Sequence, residues 1–164
     1  VKPDAAMEWF EHWREARFNW YLSLGIRPQH LRFHQHSPQE LARVLGGANI
    51  KAIYTSQFAR TKLTADPLVA KTGATVTSLT LKPNPSNLGL IAEESTAELI
   101  NKILQRPGES VLVIGHSNWI PDVIKMLGGD IVPTIDERKF DDLFIVTVYA
   151  KGKAKVVQLK YGAE

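Results

Sequence analysis

Residues 111–118 read VLVIGHSN, in which four apolar residues run into Gly115 and then His116. A short apolar run bounded by a glycine is typical of a strand that is buried on both faces. The stretch IKAIYTS at 50–56 is a second β-rich run and ends in small hydroxyl residues. After residue 37 such strands alternate with helix-like segments. This alternation predicts an α/β domain with three layers, a largely parallel sheet with helices on both faces.

Cap and stop signals set the predicted elements of this domain. Helices are predicted at SPQELARVLGG (37–47), FARTKLTADPLVAKTG (58–73), from a capping box at 95–98 to about residue 105, and at NWIPDVIKMLGG (118–129). Pro67 is expected to kink or restart the second of them. A further strand is predicted at ATVTSLTL (74–81), a loop at KPNPSNLG (82–89), and a closing hairpin at LFIVTVYA (143–150) and KAKVVQLKYG (153–162).

The first 37 residues have a different character. Trp9, Trp13 and Trp20 recur at helical spacing between Asp4 and Gly25, which predicts an amphipathic helix with an aromatic stripe. The stripe is expected to pack on the rest of the protein; the alternative is that it docks a partner, in which case a homodimer would form through this helix. The predicted organisation is an N-terminal helical segment at 1–37 and an α/β domain at 38–164.

Composition excludes several classes of function. The net charge of +3 comes from 20 basic and 17 acidic residues that are scattered along the chain, so no nucleic-acid partner is expected. Cysteine is absent, which excludes disulfides and thiolate sites. No apolar stretch is long enough to span a bilayer, so no membrane partner is expected. His34 and His36 have no third ligand nearby in the sequence, so no metal site is predicted.

Two polar side chains follow predicted strands and suggest a ligand site. His116 follows VLVIG, and Arg60 lies about one helical turn beyond IYTS. Parallel sheets bind ligands at the carboxyl ends of their strands. A lone histidine in a turn is more often structural, but Gly115 permits close approach, and Ser117 and Asn118 are expected to open a helix whose N–H groups attract anions. Arginine supplies a planar donor fork for phosphate. We therefore expect a phosphate site.

The same residues carry a resemblance. AIYTSQFARTKLTADPLVAKTG (52–73), with its Ser-x-x-x-Arg-Thr, and VLVIGHSNWIPDVIKMLGG (111–129), with Gly-His-Ser-Asn, resemble motifs of the histidine phosphatase (phosphoglycerate mutase-like) superfamily. The resemblance covers roughly residues 38–162. It implies a phosphoglycerate mutase-like fold without a cofactor, and a pocket for phosphate or a small phosphomonoester. In that pocket the residues matched by Arg60 and His116 would bind and polarise the phosphoryl group, with His116 catalytic.

One motif of that superfamily is missing. Its members begin with a strand ending in Arg-His-Gly, whose histidine becomes phosphorylated, and this chain has no Arg-His dipeptide. In LRFHQHS, Arg32, His34 and His36 have the wrong spacing, and whether either histidine replaces the nucleophile is left open. Catalysis is expected to be impaired or absent. The proton donor is unassigned, because Glu93 and Glu94 fit better as first-turn acids that complement a helix dipole.

A second resemblance lies at the front of the chain. Residues 8–42, from a Trp-rich helix through Leu-Gly-Ile-Arg to a His-x-x-x-Glu-Leu-Ala helix, are similar to a stretch inside bacterial-type glycyl-tRNA synthetases. No ATP- or tRNA-binding motif is included, so no aminoacylation is inferred. The chain is interpreted as composite, natural or engineered. The alternative to a phosphate-binding protein is a non-catalytic chimeric scaffold whose aromatic helix mediates assembly.

Overall fold

The computed structural model describes residues 38–136 and 141–161. The chain divides into two units, Val1–His36 and Ser37–Glu164, and all described residues belong to the second. The predicted tryptophan stripe, its proposed dimer contact, and His34 and His36 lie outside the described residues. No helix in the described part of the chain has the length and apolar character to cross a membrane.

A three-stranded parallel sheet forms the centre of the described unit. Its strands are β1 (Ile50–Ser56), β2 (Thr75–Leu79) and β5 (Ser110–Ile114), in the order β2-β1-β5. Ile53 of β1 pairs with a residue on each side, Val76 of β2 and Leu112 of β5. Six of the seven β1 residues are buried, as expected for a central strand. The prediction of a mixed α/β domain with a parallel sheet is confirmed.

Four helices accompany the strands of the described part. Residues 38–45 form α1, and the others are α2 (Ala59–Thr72), α3 (Glu93–Leu104) and α4 (Ile120–Met126). Pro67 does not restart α2, which is one continuous helix. The carbonyl that Pro67 cannot bond is that of Leu63, and Leu63 is 63% exposed, so water can satisfy that carbonyl. α2 ends at Gly73, whose φ of 69° is left-handed, as a glycine stop predicts.

Two helix starts differ from the predictions. α3 begins at Glu93 rather than at the expected capping box, because the hydroxyl of Ser95 accepts a hydrogen bond from the backbone N–H of Lys82 (3.0 Å) and does not cap the helix. α4 begins at Ile120, after a turn at residues 117–119. In that turn the carbonyl of His116 accepts from the N–H groups of Trp119 and Ile120. Ser117 and Asn118 therefore precede the helix and do not open it.

The predicted loop at 82–89 contains strands. β3 (Pro83–Asn84) pairs antiparallel with β4 (Asn87–Ile91). The side chain of Asn84 accepts hydrogen bonds from the backbone N–H groups of Ser86 (2.9 Å) and Asn87 (3.3 Å), which closes the turn between the strands. Turn residues dominate this short hairpin, so its sequence reads as a loop.

The predicted closing hairpin is present but forms a sheet of its own. β6 (Asp142–Ala150) pairs antiparallel with β7 (Lys153–Lys160). The described strands thus form three separate sheets, and this hairpin does not join the parallel sheet. A core cluster joins Leu143 and Tyr161, at the base of the hairpin, to Leu68 of α2, Ile53 of β1 and Leu112 of β5.

The tip of the hairpin is held by the chain that follows α4. Gly128 accepts a hydrogen bond from the N–H of Ala154 (3.0 Å), and Asp130 donates its N–H to the carbonyl of Ala154 (3.1 Å). A Cβ on Gly128 would lie 2.1 Å from the carbonyl carbon of Gly152. Gly128 therefore has to be a glycine where these backbones cross, whereas Gly152 is favoured there by its left-handed φ of 75° and not by lack of space.

Candidate functional site

Arg60 and His116 meet at the carboxyl end of the parallel sheet. β1 ends at Ser56 and neighbouring β5 ends at Ile114, so residues that follow them emerge at one edge. Arg60 lies in the first turn of α2, and His116 lies two residues after β5. Arg60 Nη2 is 2.8 Å from His116 Nδ1. The structure brings these two predicted site residues together, well inside the roughly 10 Å beyond which one anion could not contact both.

Phe58 is part of this site and was missed from the sequence. Its ring contacts the His116 ring edge-on, with 5.4 Å between centroids and 77° between planes. The Arg60 guanidinium carbon lies 5.5 Å from the centre of the same ring, a distance typical of a cation–π contact. Phe58 therefore supports both polar side chains. Its position between the end of β1 and Arg60 was the signal available in the sequence.

Two buried hydroxyls lie beneath His116. His116 Nε2 is 2.8 Å from Ser56 Oγ, and Ser56 Oγ is 2.9 Å from Thr61 Oγ1. Ser56 is 0% and Thr61 2% exposed. The sequence marked Ser56 only as a polar residue at a strand end and assigned no role to Thr61. Because Ser56 is enclosed and already bonded, it cannot reach a ligand.

The remaining predicted site residues lie in the turn after His116. Asn118 donates its side-chain N–H to the carbonyl of Gly89 in β4 (2.9 Å), which ties that hairpin to the site. Ser117 is half-buried in the same turn. A Cβ on Gly115 would lie 2.8 Å from side-chain atoms of Trp119 and Ile120, so Gly115 makes room for these side chains rather than for a ligand. Phosphate binding by Ser117 and Asn118 stays a prediction.

The charge around the site favours an anion. The first turn of α2 holds Arg60 and Lys62 and no acidic residue. Phe58, at the N-cap, makes no side-chain cap hydrogen bond. The partial positive charge of a helix N-terminus therefore adds to the guanidinium there. Glu93 and Glu94 occupy the first turn of α3, where acids complement the helix dipole.

The donor set does not suit a metal ion. No group of three or more histidine, cysteine, aspartate or glutamate side chains within residues 38–136 and 141–161 is arranged to hold one. A guanidinium beside the imidazole further disfavours a cation at that nitrogen. The guanidinium of Arg60 supplies N–H donors at this site, and their positive charge matches an anion rather than a cation.

No protein-family model matches the chain. Short segments are similar to glycine–tRNA ligases: 40% identical over 62 residues to the ligase of Corynebacterium glutamicum, which is 38% of this chain and 13% of the ligase. The ligase of Acetivibrio thermocellus is 46% identical over 41 residues, which is 25% of this chain and 9% of that ligase. The ligase of Streptomyces coelicolor is 40% identical over 42 residues, which is 26% of this chain and 9% of that ligase. The chain spans about a tenth of the length of the curated relatives it matches. The expected likeness to a short stretch of these synthetases is confirmed, with matches that cover about 25–38% of this chain.

Proposed function

We propose that the domain from residue 38 onward binds phosphate or a small phosphomonoester through Arg60 and His116, in the manner of a histidine phosphatase. The contact between these two side chains at the carboxyl edge of adjacent parallel strands is the observation that carries the proposal. Arg60 can donate to an anion, phosphate oxygens are strong acceptors, and His116 can share a proton with a protonated phosphate oxygen. The fold proposed for this domain is the phosphoglycerate mutase-like one that the two motifs imply.

The proposed anion lies beside the contact between Arg60 and His116. Arg60 is exposed, so its guanidinium is accessible to an entering anion. The anion then accepts hydrogen bonds from Arg60 and shares a proton with His116. The first turn of α2 adds the helix dipole on the same side, and no carboxylate from that turn opposes it.

Hydrolysis is proposed to be weak or absent. A histidine phosphatase needs a nucleophilic imidazole, and His116 already serves as the polarising group in this proposal. Ser56 offers no substitute, because its hydroxyl is 0% exposed and bonded to His116 and Thr61. The Arg-His-Gly motif is absent from the sequence. Binding without efficient turnover is therefore the proposed activity.

Arg60→Ala tests the binding. Because a hydrogen bond to a charged group contributes roughly 1.5–3 kcal/mol, the variant should bind phosphate or vanadate roughly tenfold to a hundredfold more weakly in a calorimetric titration of the full chain. Arg43→Ala is the matched control, since Arg43 is an exposed arginine of α1 that pairs with Glu40 at 2.8 Å. Equal affinity of the two variants, or no binding by the unmodified protein, would refute the proposal.

A further inference from the structure

A continuous set of hydrogen bonds runs from the surface guanidinium of Arg60 to the backbone at the end of β1. It passes through His116, Ser56 and Thr61, at 2.8, 2.8 and 2.9 Å between successive polar atoms. Thr61 Oγ1 then lies 3.1 Å from the carbonyl oxygen of Ser56 and 2.9 Å from that of Phe58. All five distances are ordinary hydrogen-bond lengths. The chemistry of the two ends decides which atom donates at each step.

The guanidinium of Arg60 determines which atom donates in the first hydrogen bond. A guanidinium has N–H donors and no acceptor, so Nδ1 of His116 must accept with its lone pair. A neutral imidazole whose Nδ1 lone pair accepts a hydrogen bond carries its proton on Nε2. Nε2–H therefore donates to Ser56 Oγ.

Thr61, at the other end, independently determines that each hydrogen bond donates from His116 toward Thr61. Thr61 has a single hydroxyl proton, and the carbonyls of Ser56 and Phe58 within its reach can only accept. The hydroxyl proton of Thr61 is thus directed at the backbone, which leaves an oxygen lone pair for Ser56. Ser56 donates to Thr61 and keeps its own lone pair for His116. Both ends lead to the Nε2–H tautomer.

We propose that Ser56 and Thr61 are positioning residues that hold His116 as the Nε2–H tautomer and keep its Nδ1 directed at Arg60 and at the entering anion. This inference rests on the proposed function. Both hydroxyls are almost fully buried, so water does not compete for their bonds. When the anion arrives, Arg60 turns to it and a monoprotonated phosphate brings the proton that Nδ1 and an anion oxygen then share. The Nε2–H bond to Ser56 persists throughout.

Nitrogen NMR of the full chain labelled with 15N-histidine, in anion-free buffer, tests the tautomer directly. His116→Asn identifies the signal among the five histidines. We expect a pyridine-type Nδ1 and a protonated Nε2 whose hydrogen exchanges slowly with water. Ser56→Ala and Thr61→Val should make that exchange fast, and Thr61→Ser should restore it. A proton found on Nδ1 of the unmodified protein overturns the proposal, whether or not any variant folds.

Phosphate titrations of the same proteins separate this inference from the proposed function. Ser56→Ala and Thr61→Val should weaken phosphate binding about twofold to tenfold, the loss expected for one hydrogen bond. Thr64→Val is the matched control, because its hydroxyl bonds only along α2, to the carbonyl of Arg60 (2.8 Å). If all three variants bind phosphate equally well, the positioning role is refuted while the proposed function stands. If the unmodified protein shows the Nε2–H tautomer but binds no phosphate, the proposed function fails and this inference fails with it.

Discussion

The indole of Trp119 is fully buried three residues beyond His116, and its N–H donates to the hydroxyl of Thr96 in α3 (3.1 Å). Thr96 is itself 1% exposed. This pair is a polar link inside an apolar contact between α3 and α4. A buried donor or acceptor that loses its hydrogen-bond partner lowers the free energy of unfolding, so each side chain depends on the other.

Trp119→Phe should lower the free energy of unfolding by about 1–3 kcal/mol, because it leaves the buried hydroxyl of Thr96 without its donor. Urea unfolding followed by circular dichroism measures the loss. In the double variant with Thr96→Val both polar groups are gone, and the combined loss should be smaller than the sum of the single losses. Strict additivity of the two single changes would contradict the coupling.

At the scale of single residues, the sequence located Arg60 and His116 but not their neighbours. Both residues follow the end of a predicted strand by a few residues, and such a position can be read from the local sequence. The roles of Ser56 and Thr61 depend on a contact with His116 across 60 residues and on the direction of each hydrogen bond. Side-chain bonding of this kind has no periodic signature in a sequence.

Among the secondary-structure elements, β7 donates two hydrogen bonds to the carboxylate of Asp130, which lies in the chain after α4. Asp130 Oδ2 accepts from Lys155 Nζ (2.7 Å), and Oδ1 accepts from the backbone N–H of Val156 (2.8 Å). The hydrogen bond from Lys155, followed by that from Val156, lowers the pKa of Asp130. The same carboxylate raises the pKa of Lys155.

The lowered pKa of Asp130 predicts a pH dependence of stability. A carboxyl whose folded pKa lies below its unfolded value of about 3.9 stabilises the fold above that value, and this contribution is lost as pH falls through the folded pKa. Below about pH 4, the free energy of unfolding of the Asp130→Asn variant should fall less with decreasing pH than that of the unmodified protein. Asp66→Asn, at an exposed position of α2, is the control. An equally steep loss in Asp130→Asn would refute the argument.

Most strands and helices were predictable from apolar runs and from cap and stop signals, as in β1, α2 and β6. The errors fall where side chains bond to the backbone. Asn84 closes a hairpin in a stretch that reads as a loop, and Ser95 bonds to Lys82 instead of capping α3. Such bonds use the same residue types that mark loops and caps, so composition alone cannot distinguish the two outcomes.

For the molecule as a whole, the described strands divide into a parallel sheet and two antiparallel hairpins. The sequence predicted the mixed α/β class, because that follows from the alternation of elements. It did not predict the separation of β6–β7 from the parallel sheet, since strand pairing joins residues far apart in the chain. The fold at the level of a phosphoglycerate mutase-like topology stays a proposal.

The absence of the nucleophile motif from this sequence leads to a prediction about catalysis by this chain. Hydrolysis of p-nitrophenyl phosphate by the full chain should stay near the rate of a His116→Ala variant, because no Arg-His-Gly strand presents a second histidine. Steady-state release of nitrophenol measures this. Robust hydrolysis that disappears in His34→Ala or His36→Ala would overturn the expectation of impaired catalysis. Robust hydrolysis that survives both changes would place the nucleophile elsewhere.

The crossing of Gly128 and Gly152 has a consequence for protein engineering. Backbone bonds at Gly128 and Asp130 fasten the hairpin tip at one end of the segment before β6, and the Asp141 carbonyl accepts the Tyr161 N–H at the other. Both anchors lie outside the exposed stretch Ile131–Val132. Doubling the length of a flexible connection adds only about 0.6 kcal/mol to the entropy of closing it. A tag or a guest domain inserted after Val132 would therefore leave the anchors intact, whereas one inserted at the glycine crossing would separate them.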